Sequence, residues 1–129
     1  MFLVKTKLGK SKIHGIGVFS DEFIPKGTLV QKFIEEIDLE IAPETVNVLP
    51  ELLKNNLLHY AYKHKTTGKY ILNADDARFL NSSENPNLIG DEFNKEADVA
   101  IRDIEKGEEL TVNYQDFDAE AAKKFLNFD

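Results

Sequence analysis

Ala77-Arg78-Phe79-Leu80-Asn81-Ser82-Ser83-Glu84-Asn85-Pro86-Asn87-Leu88 is the stretch on which the reading of the chain turns. Phe79 and Leu80 enter a run of six polar residues and a proline, and Leu88-Ile89 leave it. Asparagine side chains hydrogen-bond nearby backbone and tolerate left-handed geometry, so the local reading is a polar loop between two strands. Three asparagines within seven positions are nonetheless more than a surface turn needs.

Downstream, Ile104-Glu105-Lys106-Gly107 is a tight turn that feeds a strand over Glu109 to Tyr114, with Leu110, Val112 and Tyr114 on one face. Upstream, Ile24-Pro25-Lys26-Gly27 has the same grammar and leads into a strand running to Ile34. Earlier still, Ile13-His14-Gly15-Ile16-Gly17-Val18-Phe19 places two glycines before a short apolar strand, which implies left-handed backbone or a close approach to the main chain. It is not a dinucleotide fingerprint, because the third glycine would fall at Ser20 and no helix follows.

The remaining segments read as short elements. Phe2 to Thr6 is an edge strand and Lys7 to Lys12 a basic loop. Glu35 to Glu40 is acidic, with Ile37, Leu39 and Ile41 alternating as in a strand with one wet face, and Ala42 to Leu58 is irregular and partly helical, a helix opening at Pro43-Glu44 being limited by Pro50. Leu57 to Tyr62 and Lys69 to Leu72 form a hairpin across Lys65 to Gly68, and Leu88 to Phe93 pairs with Ala97 to Ile101 across Asn94-Lys95. Ala119 to Phe128 is a short C-terminal helix. The class is mainly β, with several small sheets around one core.

At 129 residues the chain makes a single domain, 1–129, able to bury a core without staples. There is no cysteine, which removes disulfides, thiolate zinc sites and a cysteine nucleophile, and suits an intracellular protein. No apolar run suggests a membrane span, and the N-terminus reads as a strand rather than an export signal. A net charge of −7 argues against nucleic acid as direct partner and favours a basic one, although it also serves solubility. The three histidines have no His-Glu-x-x-His spacing, so no metal site is expected. Ser82 and Ser83 lack a nucleophile elbow, and Asp75-Asp76 and Glu35-Glu36 read as solvated charges or caps. Tyr114, at a strand end, can place its hydroxyl in a cleft.

Three segments, in order, resemble the SET domain of protein lysine methyltransferases. Gly15-Ile16-Gly17-Val18-Phe19 resembles the family's opening Gly-x-Gly-(Val/Leu)-(Phe/Tyr). Ala77 to Asn87 resembles Ala-Arg-Phe-x-Asn-His-Ser-Cys-x-Pro-Asn, and Arg102 to Tyr114 resembles Arg-Asp-Ile-x-x-Gly-Glu-Glu-Leu-Thr-x-Asp-Tyr. The last two together are highly specific. The resemblance runs over a core of 4–114, with a variable insert at 35–58 and a short helical tail at 115–129. Ser82, Glu84 and Asn113 stand where the family has His, Cys and Asp, and the cysteine-rich zinc-binding tail found after many SET domains is absent.

The resemblance implies small sheets with a pseudoknot, the segment bearing Tyr114 passing beneath a loop around Asn81 to Asn87. It implies S-adenosylmethionine as methyl donor, released as S-adenosylhomocysteine, with no metal. By position, Ile13, His14, Gly15 and Gly17 would meet the cofactor, with Tyr60, Arg78, Asn81, Ser82 and Tyr114 completing its site. Phe79, Tyr114 and Phe117 would line the substrate channel, and Tyr114 would be catalytic. The substrate would be a Lys-containing basic protein or peptide, in the cytoplasm of a bacterium or the nucleus of a eukaryotic or viral setting, with homodimer formation open. Methyl transfer is an in-line displacement in which alignment supplies much of the rate. The amine, with an ordinary pKa of about 10.4, must first lose a proton, which aromatic walls and a nearby sulfonium favour. The alternative function is a catalytically inactive SET-like module that binds the cofactor or a Lys-containing peptide.

Overall fold

The computed structural model of the chain describes residues 1–91 and 97–116. Among them run ten strands: β1 (Thr6–Lys10), β2 (Ile16–Ser20), β3 (Leu29–Lys32), β4 (Leu39–Ile41), β5 (Tyr62–Lys63), β6 (Tyr70–Leu72), β7 (Asn81–Ser82), β8 (Leu88–Gly90), β9 (Ala97–Ala100) and β10 (Thr111–Val112). Two helices, α1 (Pro43–Asn47) and α2 (Glu51–Tyr60), and two 3-10 turns, Asp76–Phe79 and Tyr114–Asp116, complete the described elements. The strands form four small sheets, β1-β2, β10-β7, β3-β9-β8 and β4-β6-β5, which is the mainly β architecture expected. The Asn94-Lys95 turn, Phe93, Phe117 and the C-terminal helix over Ala119–Phe128 lie outside the described residues.

Several segments differ from their sequence reading. Phe2 to Thr6, read as an edge strand, contributes only an isolated bridge from Phe2 to Gln31 before β1 begins, and of the alternating stretch from Glu35 only Leu39–Ile41 is strand. The basic loop over Lys7 to Lys12 is instead mostly strand, since β1 pairs along its whole length with β2, from Thr6 opposite Ser20 to Lys10 opposite Ile16. Gly9 makes this possible: a Cβ there would lie 3.1 Å from the Phe19 ring, so the missing side chain leaves room for the aromatic across the strand. Leu57 to Tyr60, read as strand, is the last turn of α2. Pro50 stops the helix opened at Pro43, since α1 ends at Asn47, and it also stands as the N-cap of α2, whose four leucines and freedom from β-branching favour helix. The strand read over Glu109 to Tyr114 contracts to Thr111–Val112. Asn113 Oδ1 accepts from the Gln115 N–H at 3.1 Å, an Asx-type turn that bends the chain into the 3-10 turn bearing Tyr114.

The two Lys-Gly turns are paired in space. Ile24 and Ile104 exchange backbone hydrogen bonds of 2.9 and 2.8 Å, and both are almost wholly buried. Gly27 and Gly107 take φ of 86° and 95°, the left-handed region open to glycine. Around this pair sits the main core of Val18, Ile24, Val30, Leu80, Leu88, Ala100, Ile104, Leu110 and Val112. A second cluster of Val46, Ala61 and Tyr70, flanked by Leu57 and Leu58, packs the insert against the β4-β6-β5 sheet.

Two long-range clasps position the site. β7 runs parallel to β10, Asn81 opposite Thr111 and Ser82 opposite Val112. Beside it the buried Asn87 acts as a piece of backbone: Nδ2 donates to the Glu109 carbonyl at 2.8 Å and Oδ1 accepts from the Thr111 N–H at 2.9 Å. These are contacts the expected pseudoknot requires between its two segments. The second clasp is Asp38, 3% exposed, whose carboxylate accepts from the Ile34 N–H at 2.8 Å, the Ala74 N–H at 2.9 Å and the Met1 ammonium at 3.0 Å. Burial alone would raise its pKa, but the two backbone donors and the ammonium outweigh it and hold the carboxyl below its ordinary value.

Candidate functional site

A cavity of about 490 Å³ opens among the sheets, within the range of small-molecule sites. Ile13, His14, Gly15, Tyr60, Arg78 and Asn81 line it, as do Ser82, Tyr114 and Phe79. These are all but one of the described residues singled out for the cofactor and the channel. Gly15 sits at φ 48° with nothing within 4 Å of where a Cβ would stand, so this part of the wall is bare backbone. Gly17 does not line the cavity. A Cβ on Gly17 would lie 2.5 Å from Glu109 Oε2 and 3.1 Å from Ser11 Cβ, so its missing side chain makes room for a carboxylate of the protein itself.

That carboxylate anchors the loop before β2. Ser11 Oγ donates to Glu109 at 2.8 and 2.9 Å, and accepts from the N–H groups of Ile13 at 2.9 Å and His14 at 3.2 Å. Asn81 Nδ2 lies 3.0 Å from Glu109 Oε2 and also reaches the carbonyls of His14 at 3.0 Å and Ile16 at 3.1 Å. The amide nitrogen of Asn81 is therefore committed to holding the glycine loop, which leaves Oδ1 as the atom by which this side chain can accept from a ligand.

Tyr114 is held at both ends. Its hydroxyl donates to the Leu80 carbonyl at 2.6 Å, and its N–H donates to Ser82 Oγ at 3.2 Å. With its proton turned to Leu80, the phenol oxygen faces any other donor as an acceptor. The aromatic wall is equally ordered. Tyr60 and Phe79 meet edge to face at 5.8 Å, and the Arg78 guanidinium lies 5.2 Å from the Tyr60 ring centroid. Arg78 also donates twice to the Asn73 carbonyl, at 3.1 and 2.9 Å. Asp75 accepts from the Ala77 N–H at 3.0 Å, capping the turn that carries Arg78 and Phe79, as expected of a cap.

Sequence reasoning missed several residues of the site. Ser11 lies outside the three motifs, and Glu109, inside the third, is given no partner by it. His59, His64 and Tyr62 also line the cavity, beside the expected His14. Gln31 and Asp98 form another part of the wall. Among the described residues, no three His, Asp or Glu side chains gather as metal ligands.

Small sheets, a glycine loop tied to Asn81 and a doubly held Tyr114 define a SET-type domain. Residues 15–115 match the SET domain family, and the chain belongs to it. It is similar to Histone-lysine N-methyltransferase trr of Drosophila melanogaster, 29% identical over 88% of this chain and 5% of that protein. Human Histone-lysine N-methyltransferase 2D is 31% identical over 88% of this chain and 2% of its own length. The chain therefore spans only a small part of these relatives. A solved Plasmodium falciparum protein described as a histone methyltransferase shares the fold, with a TM-score of 0.57 and 24% identity over 86% of this chain and 93% of that one. Among the described residues no helix is long and apolar enough to cross a membrane.

Proposed function

We propose that the chain is an S-adenosylmethionine-dependent protein-lysine N-methyltransferase acting on a Lys-containing basic protein or peptide. The observation that carries this reading is that the glycine loop, Asn81 and Tyr114 meet in one cavity and are tied together by side-chain hydrogen bonds. The names of the relatives, all histone-lysine methyltransferases, point the same way.

The cavity residues suit the cofactor. The bare backbone at Gly15 leaves space for a ligand to approach the loop, while Asn81 Oδ1 and the main chain of Ser82 offer polar contacts. Arg78, fixed against Tyr60, closes that wall with an aromatic face. When bound, the cofactor supplies an electrophilic methyl group on a cationic sulfur. The protein's part is alignment and control of a proton. An amine meeting Tyr114 Oη finds an acceptor, because the hydroxyl proton is engaged by Leu80, so Tyr114 orients the amine by its N–H. The aromatic faces of Phe79 and Tyr60 disfavour the ammonium, which helps it lose the proton that blocks its lone pair. The acidic net charge steers a basic substrate toward the protein.

Ser82 and Asn113 leave this reading intact. Ser82 Oγ and Asn113 Oδ1 both accept backbone N–H groups around Tyr114, a task that neither the family's His nor its Asp is needed to perform. Calorimetry with S-adenosylmethionine tests the reading directly: micromolar binding is expected, and absence of binding at high micromolar concentration refutes it. With labelled cofactor and mixed basic proteins, Tyr114→Phe should lower transfer by about a hundredfold, and an unchanged rate removes Tyr114 from the mechanism.

A further inference from the structure

Gln31 on β3 and Asp98 on β9 are direct cross-strand partners, and both line the cavity. Each is only 8% exposed. Gln31 Nε2 donates to Asp98 Oδ2 at 2.7 Å. The other end of the same amide, Oε1, is buried with no hydrogen-bond partner among the described residues. The orientation of the amide follows from chemistry, since turning it over would set its oxygen against a carboxylate oxygen. A buried carbonyl without a donor is destabilising, and folded proteins rarely leave one in that state. A glutamine between Val30 and Lys32 contributes little to the core in return.

The kind of group that would satisfy this oxygen can be stated. The anionic carboxylate behind the amide polarises it and makes Oε1 a stronger acceptor. Asp91 lines the same cavity. Among the described residues of the cavity wall, Arg78 is directed to the Asn73 carbonyl and the Tyr60 ring. What fits is a mobile N–H donor with positive charge. A guanidinium presents a fork suited to two coplanar acceptors, whereas an alkylammonium is a compact point charge suited to one oxygen with a carboxylate behind it.

We infer that Gln31, held in place by Asp98, receives the ammonium of the substrate lysine through an N–H···Oε1 hydrogen bond. The inference rests on the methyltransferase reading for its choice of lysine. Two alkylammonium groups meet in such a reaction, the lysine side chain and the cofactor's α-amino group. Asn81 Oδ1 takes the latter under the proposed function, which leaves Gln31 to hold the lysine ammonium before it loses its proton and meets Tyr114. An acceptor of this kind needs at least one N–H, so it accepts an unmethylated amine and discriminates against a trimethylated one.

The test uses the full chain, labelled with nitrogen-15, and follows the Gln31 side-chain NH₂ resonances. n-Butylammonium should shift them at millimolar concentration, and n-butyltrimethylammonium should not. Gln31→Met removes the acceptor at similar volume, while Asp98→Asn keeps an oxygen for Nε2 and removes only the charge. Each should weaken butylammonium binding and raise the KM for poly-L-lysine by about ten- to a hundredfold, with S-adenosylmethionine affinity unchanged by calorimetry and a urea midpoint confirming the fold. Equal shifts by both amines, or unchanged KM in both variants of an active wild type, overturn the inference. Lost cofactor affinity with unchanged KM also overturns it, by assigning the pair to the cofactor's ammonium. A wild type that binds no S-adenosylmethionine refutes the methyltransferase reading instead, and the amine titration still reports on Gln31 by itself.

Discussion

Replacing Gly17 by alanine distinguishes a glycine that admits a ligand from one that admits Glu109. The new methyl would stand 2.5 Å from Glu109 Oε2 and 2.8 Å from Cδ, closer than real Cβ contacts come. The β2 backbone is fixed by pairing with β1, so the carboxylate has to move, breaking its bonds to Ser11 and Asn81. Hydrogen bonds to a charged group contribute about 1.5–3 kcal/mol each. Glu109 is only half-buried, so the lower end applies and the two together come to about 3 kcal/mol. Glu109→Ala loses the same bonds without a clash. In the double variant the methyl at position 17 has nothing to collide with, so it should be no less stable than Glu109→Ala alone. The resulting coupling is about 3 kcal/mol in favour of the pair. Urea unfolding of the four proteins measures it, each single variant falling by roughly 1.5–2 M in midpoint for a slope of about 1.5–2 kcal/mol/M. If the two effects add to within about 0.5 kcal/mol, Gly17 does not make room for Glu109 and the reasoning fails.

Asn87→Ala should destabilise the chain by about 3 kcal/mol, because it leaves the buried Thr111 N–H and the Glu109 carbonyl without partners; a urea midpoint within error of wild type would contradict this. Asp38 gives a pH signature. Its folded pKa lies below the ordinary value of 3.8, so its contribution is present above that value and is lost as pH falls through the folded pKa. Stability should therefore drop on acidification below about pH 4, and Asp38→Asn should be less stable near neutrality and show a shallower drop, as measured by urea unfolding at stepped pH.

What was legible in the sequence was whatever depends on neighbours along the chain. The Lys-Gly turns, the capping role of Asp75 and the motif around Asn81 are local patterns, and each stands where it was read. Contacts across long separations were legible only through the family resemblance, as for the segments around Asn81 and Tyr114, and residue by residue they were not. Gly17 was correctly read as a place of close approach, but nothing nearby names Glu109 as the approaching group. Gln31 and Asp98, 67 positions apart, gave no signal of forming a pair. Pro50 shows a different limit: proline is compatible with the end of one helix and with the start of the next, and here it does both. The Asx turn at Asn113 likewise shortened a strand whose apolar alternation was otherwise regular.

The replacement of the family's His by Ser82 becomes intelligible from the same contacts. Ser82 contributes to the site in two ways: its backbone continues the β7-β10 pairing, and its hydroxyl holds the Tyr114 N–H. The first is independent of side chain, and the second needs only a short acceptor close to the main chain. Leu80, two residues earlier, holds the other end of Tyr114 through its carbonyl. The ring is thus fixed between two points on one segment, 80–82, which also carries Asn81, the residue that grips the glycine loop. Loop, ring and β7 consequently form a single mechanical unit. A perturbation at any of Ser11, Asn81, Asn87 or Glu109 is expected to reach Tyr114, because each is bonded to β7, to β10 or to the loop they hold. Stability of the interlocked core and alignment at the site are therefore not separable properties of this chain, and alignment is what methyl transfer most requires.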